Sequence, residues 1–112
     1  MQWKISVEEN ILVVRLAGEL DLGSADTLRT EMDDALDSSQ LRHIILNLAD
    51  VTYIDSTGLG VMLGRYKKVS KYGGKMALVN PQPQVKKILE LSGLTSIIEE
   101  YSDESEAFAQ IG

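Results

Sequence analysis

The stretch Val51-Thr52-Tyr53-Ile54-Asp55-Ser56-Thr57-Gly58-Leu59-Gly60-Val61-Met62-Leu63-Gly64-Arg65-Tyr66-Lys67-Lys68 decides how this chain folds. It follows an apolar strand, Ile44 to Ala49, and opens a helix whose apolar positions Leu59, Met62, Leu63, Tyr66 and Val69 recur at spacings of three and four. Asp55 or Ser56 is suited to cap that helix, because a side-chain oxygen there can accept a hydrogen bond from an unpaired amide of the first turn. Gly73-Gly74 supplies the stop, and Lys67, Lys68 and Lys71 lie toward the negative end of the helix dipole. The hydroxyls of Ser56 and Thr57 therefore stand where free N–H groups and the positive end of a helix converge, a position that tolerates a phosphate. Gly58, Gly60 and Gly64 each cost about 1 kcal/mol relative to alanine in a helix interior. That cost points to a surface kept bare so that another body can approach.

Working outward, Trp3, Ile5 and Val7 alternate with polar residues, and Ile11 to Ala17 is a second β-rich run across a Glu9-Asn10 turn, which makes a β-hairpin. Gly18 to Gly23 reads as a loop. A helix follows from Ser24 or Ala25 to Leu36, with Leu28, Met32, Ala35 and Leu36 as its inner stripe. His43 to Ala49 is nearly continuous in Ile and Leu, as expected of a strand covered on both faces. Beyond the central helix come a short strand from Lys75 to Val79 and a third helix begun by Asn80-Pro81-Gln82-Pro83 and ended by Gly93. A brief edge strand is expected over Thr95 to Glu99, then a short helix with an Asp103/Glu106 capping box. The order β-β-α-β-α-β-α-(β)-α predicts one α/β domain over residues 1–112. Its mixed sheet of four to five strands should be mostly parallel, with the first strand antiparallel at the edge. Sites in such sheets lie beyond the carboxyl ends of the strands, so Asp21 and Ser56 should meet on one surface.

Composition narrows the function. The chain of 112 residues has no cysteine, hence no disulfide, thiolate metal site or cysteine nucleophile. The start, Met1-Gln2-Trp3-Lys4-Ile5-Ser6, lacks a signal peptide's pattern and no stretch approaches a membrane span, so a cytoplasmic location is expected. A net charge of −6 argues against nucleic acid as a partner. The charge is uneven: Arg65, Lys67, Lys68, Lys71 and Lys75 cluster together, while Glu19, Asp21, Asp26, Glu31, Asp33, Asp34 and Asp37 face Arg29 alone. Those are two solvated faces, or an acidic segment that meets a basic partner.

Catalytic constellations are weak. Asp21, Asp50 and Asp55 read as caps and solvated loop acids, and the single histidine, His43, begins a buried strand with no second histidine for a metal site. No Gly-x-Ser-x-Gly elbow surrounds Ser56. Gly58-x-Gly60 only partly imitates a dinucleotide fingerprint, since Gly64 arrives one residue late and Asp55 would repel a pyrophosphate. An aspartate-phosphorylated receiver would need an acidic pair after the first strand, where this chain turns into a hairpin. The reading that remains is a binding module without cofactor, whose affinity a covalent mark sets.

The run Asp55 to Lys67, with Gly18-Glu19-Leu20-Asp21, Arg42 to Leu48 and Leu91-Ser92-Gly93-Leu94, resembles the anti-sigma factor antagonists of the STAS domain family over essentially the whole chain. The continuation Gly64-Arg65-Tyr66-Lys67 leans toward the family's sporulation branch. The resemblance implies a STAS-like fold and a protein that binds an anti-sigma factor, itself a serine kinase carrying ATP or ADP, and so frees a sigma factor. It further implies phosphorylation of the serine after the motif's aspartate, here Ser56, which switches binding off, and a serine phosphatase that restores the active form. Ser56 is preferred over Thr57, whose β-branched side chain is sterically confined on entering a helix. The binding surface is expected to comprise Asp21, Asp55, Ser56, Thr57, Gly58, Leu59, Gly60, Leu63, Gly64, Arg65 and Lys68, on a protein monomeric when free. A STAS module with another partner, or one sensing a nucleotide, is the alternative.

Overall fold

The computed structural model describes residues 1–111. Its elements run β1 (Gln2–Glu8), β2 (Ile11–Leu20), α1 (Leu22–Ser39), β3 (His43–Ile54), α2 (Ser56–Ser70), β4 (Met76–Val79), α3 (Pro83–Ser92), a 3-10 turn (Leu94–Ser96), β5 (Glu99–Tyr101) and α4 (Glu104–Ile111). One five-stranded sheet has the order β1-β2-β3-β4-β5, with β1 antiparallel to β2 and every other pair parallel. The mixed α/β sheet expected from the sequence is therefore present, antiparallel edge strand included. Glu9 and Asn10 make the hairpin turn with φ of 54° and 64°, the left-handed backbone that a two-residue loop between twisted strands demands.

Alternation along the strands divides the core into two layers. Leu12, Val14, Ile44, Leu46 and Leu78 face a large cluster completed by Leu28 and Met32 of α1, Met62 and Val69 of α2, and Val85 and Leu89 of α3. Ile11, Val13, Ile45, Ala77 and Val79 face the opposite side, where Ala107 and Ile111 of α4 cover them. The helix covering the second face is clipped on by Arg15 of β2, which donates from Nε and Nη2 to the Glu104 carboxylate at 2.9 and 2.7 Å. Asn47 of β3 adds a bond to the same carboxylate at 2.7 Å.

Several boundaries differ from the sequence reading, α1 among them, which runs from Leu22 to Ser39 instead of ending at Leu36. Gly18 to Leu20 continue β2, because they pair with Val51 to Ile54 of β3, and only Asp21 lies between β2 and α1. β3 does not stop at Ala49: β4 pairs with it from Ile44 to Asn47, and from Asp50 to Ile54 it is held by β2 alone. The two central strands thus project past the rest of the sheet, and the loop before α3 attaches at their base, where Gln82 Nε2 donates to the Ala49 carbonyl at 2.8 Å. Finally, the last strand lies at Glu99–Tyr101, after the 3-10 turn, so most of Thr95 to Glu99 is not strand.

Candidate functional site

At the tip of that projection the chain leaves β3 through Asp55, and this one carboxylate organises the surroundings. Oδ1 accepts from the Gly58 amide at 2.9 Å and from the Thr57 hydroxyl at 2.5 Å, which caps α2. Oδ2 accepts from the Leu22 amide, the first of α1, at 3.2 Å. The Asp55 amide in turn donates to the Leu20 carbonyl at 3.1 Å. The Asp55 carboxylate ties the first turns of α1 and α2 together, one residue along from Asp21 on one side and from Ser56 on the other. Hydrogen bonds from the Thr57 hydroxyl and then the Gly58 amide hold the Asp55 carboxyl below the usual carboxylate range, so it is anionic at neutral pH.

Asp21 caps α1 in a capping box. Its carboxylate accepts from the Gly23 amide at 3.1 Å, while its own amide donates to Ser24 Oγ at 3.4 Å. Because Asp55 provides the cap of α2, Ser56 is left as the exposed first residue of that helix. Gly60 and Gly64 look onto open space, in keeping with a bare surface. Gly58 does not belong there: it is buried, and a Cβ on it would lie 2.7 Å from the Leu20 side chain and carbonyl and 2.9 Å from Ile54. Its glycine lets α2 start against the ends of β2 and β3. Leu59 and Leu63 are partly buried against the core, serving the inner stripe as well as the surface.

Arg65, also expected on that surface, is set back from its open part. It is only 8% exposed, drawn into the α1–α2 seam, where Nε lies 2.9 Å from Asp33 Oδ1. Burial pulls the guanidinium pKa down, Asp33 opposes that shift and Arg29 adds to it. Lys68 reaches Asp37 at 3.0 Å and Asp33 at 3.7 Å. A groove of about 330 Å³ runs along this seam, lined by Leu22, Ala25, Asp26, Arg29, Thr57, Gly60, Val61 and Arg65. Leu22, 75% exposed beside the start of α2, is not signalled by periodicity. Only placing the helix start directly after Asp21 would make it visible.

Of the other candidates, His43 takes a structural role. His43 Nδ1 accepts from the Lys75 amide at 2.9 Å, and burial, then Arg42 and Lys75, lower its pKa. Asp50 is exposed on the β3 projection. Among the described residues no group of three or more acids and histidines is placed to hold a metal ion, and no helix is long and apolar enough to cross a membrane.

The STAS domain family model matches residues 2–107. An anti-sigma F factor antagonist of Paenibacillus polymyxa is 40% identical over 111 residues, 99% of this chain and 95% of that relative. Among solved structures, the anti-sigma factor antagonist SpoIIAA in its unphosphorylated form superposes with a TM-score of 0.87 at 30% identity, over 98% of this chain and 96% of that one. The phosphorylated form of the Bacillus cell fate determinant SpoIIAA superposes with a TM-score of 0.79 at 28% identity, over 99% and 100% of the two chains. By sequence across nearly its full length and by fold, the chain belongs to the STAS domain family and groups there with the anti-sigma factor antagonists.

Proposed function

We propose that this protein is an anti-sigma factor antagonist of the sporulation type whose binding is gated by phosphorylation of Ser56. Unphosphorylated, it binds an anti-sigma factor that is also a serine kinase carrying ATP or ADP, and the sigma factor is released. The kinase marks Ser56, the complex separates, and a serine phosphatase resets the protein. The observation that carries this reading is the division of labour at the start of α2: Asp55 supplies the cap, and the adjacent serine is exposed with no duty in holding the helix. The open binding surface is Ser56 with Asp21, Asp55, Thr57, Leu59, Gly60, Leu63, Gly64 and Lys68 around it, and Arg65 lies set back in the adjoining groove between α1 and α2.

The energetics favour release without refolding. Phosphate adds about −1.5 to −2 charges, which the helix N-terminus accommodates within the protein itself. At an interface the same charge must be desolvated against an acidic or apolar surface of the partner. At ~6 Å and an effective dielectric of ~20, like charges repel by roughly 3 kcal/mol per unit pair. Since about 1.4 kcal/mol is a tenfold change in affinity, a loss of ten- to thousandfold is within reach.

Incubation with the cognate kinase and ATP, followed by intact-mass analysis, provides the test. Wild type should gain one phosphate and leave the kinase, whereas Ser56→Ala should stay bound and unmodified. Phosphate still added to Ser56→Ala would refute the assignment.

A further inference from the structure

Arg65 is the only charged or polar residue in the buried set among the described residues, and it is poorly served there. Its Nε and Nη1 and the facing Asp33 Oδ1 are buried without an aligned hydrogen bond, although Nε and Oδ1 are only 2.9 Å apart. A buried guanidinium is costly unless its donors are paired, and an apolar side chain of similar volume would fill a helix–helix seam at no such cost. Arg65 also lines the groove between α1 and α2, opposite Arg29 and beside bare Gly60. We propose that this groove receives one carboxylate side chain of the partner protein, with Arg65 as its anchor and Arg29 as a flanking cation.

Three features fit a carboxylate on a short apolar stem, such as glutamate. The groove wall is apolar at Leu22 and Val61, which suits methylene groups, and a guanidinium offers a carboxylate two parallel bonds. Lys68 already stands 3.7 Å from Asp33, so Asp33 keeps a cation when Arg65 turns to the incoming group. Asp26 also lines the groove, but it is 91% exposed and paired with Arg29 at 3.0 Å, so water screens its opposition. The groove begins at Thr57, the neighbour of Ser56. A phosphate on Ser56 would bring a second negative charge next to the end of the groove that takes the carboxylate.

This inference rests on the kinase-binding reading above. Isothermal titration of the cognate kinase with wild type, Arg65→Met, Arg65→Lys and Arg29→Gln separates the two. Arg65→Met should bind at least tenfold more weakly with an unfolding midpoint equal to or above wild type, and Arg65→Lys should recover only part of the loss. Arg29→Gln, an exposed change that spares the fold, should weaken binding by a smaller factor. A partner Glu→Gln or Asp→Gln variant whose loss is not additive with Arg65→Met identifies the docked group. Wild-type affinity in both Arg65→Met and Arg29→Gln would overturn the groove assignment and leave the function standing. Absence of any wild-type complex would overturn both.

Discussion

The carboxylate of Asp55 serves two helices at once, so its protonation loosens both N-termini together. Its folded pKa is depressed, so its contribution is present above the ordinary carboxylate value near 3.8 and is lost as pH falls through the lower folded value. Asp55→Asn should therefore unfold at lower urea than wild type at pH 7, with the gap closing toward pH 3. Asp21 is separable in another way. Asp21→Asn keeps the cap of α1 and removes only the charge, so it should weaken the partner complex at nearly unchanged stability, whereas Asp21→Lys also forfeits a cap worth about 1 kcal/mol. The glycines divide similarly under urea denaturation. Gly58→Ala should destabilise by about 1–3 kcal/mol through overpacking against Leu20 and Ile54. Gly60→Ala meets nothing within 4 Å and should stabilise by about 0.5–1 kcal/mol while binding the partner less well. A Gly60→Ala variant that gains stability with full affinity would remove the bare surface from the binding site.

Among the elements, α4 is held to the sheet by a polar contact as well as by its apolar face. Glu104 is held below the ordinary range first by the Arg15 hydrogen bond, opposed by burial and helped by Asn47. Its stabilisation is present above the unfolded value near 4.5 and disappears as pH drops through the lower folded value. Glu104→Gln should cost about 1–3 kcal/mol at pH 7 and make stability flatter than wild type between pH 5 and pH 3, as read by chemical denaturation. The elements are largely legible in the sequence wherever the apolar period is unbroken, as in Ile44 to Leu48 and Leu28 to Leu36. They are hidden where pairing overrides pattern. Asp50, Thr52 and Tyr53 look like a loop, yet they extend β3 because Ala17 to Leu20 pair alongside. Arg65 sits on α2 where its charge suggests solvent, but its turn of the helix faces Asp33 of α1, a contact that spacing within one helix cannot reveal. The capping box of α1 escapes a sequence pattern because it uses Ser24 in place of the usual Glu or Gln.

At the scale of the whole molecule, one continuous sheet packed by helices on both faces ties the site to the body. Phosphorylation should change amide chemical shifts near residues 20–24 and 53–64 and leave those of α3 and α4 in place, with the unfolding midpoint moved by only a few degrees. Widespread shifts across α3 and α4 would show that the mark acts by rearranging the fold. The β2–β3 projection has a consequence for access. Ile54 lies five residues beyond Ala49, where the loop leading to α3 attaches, a rise of roughly 16 Å along β3 at about 3.3 Å per residue. On the function proposed above, the enzyme that modifies Ser56 and the one that restores it would both meet it at this far end of β3, between the first turns of α1 and α2 and away from the edge where the loop to α3 attaches.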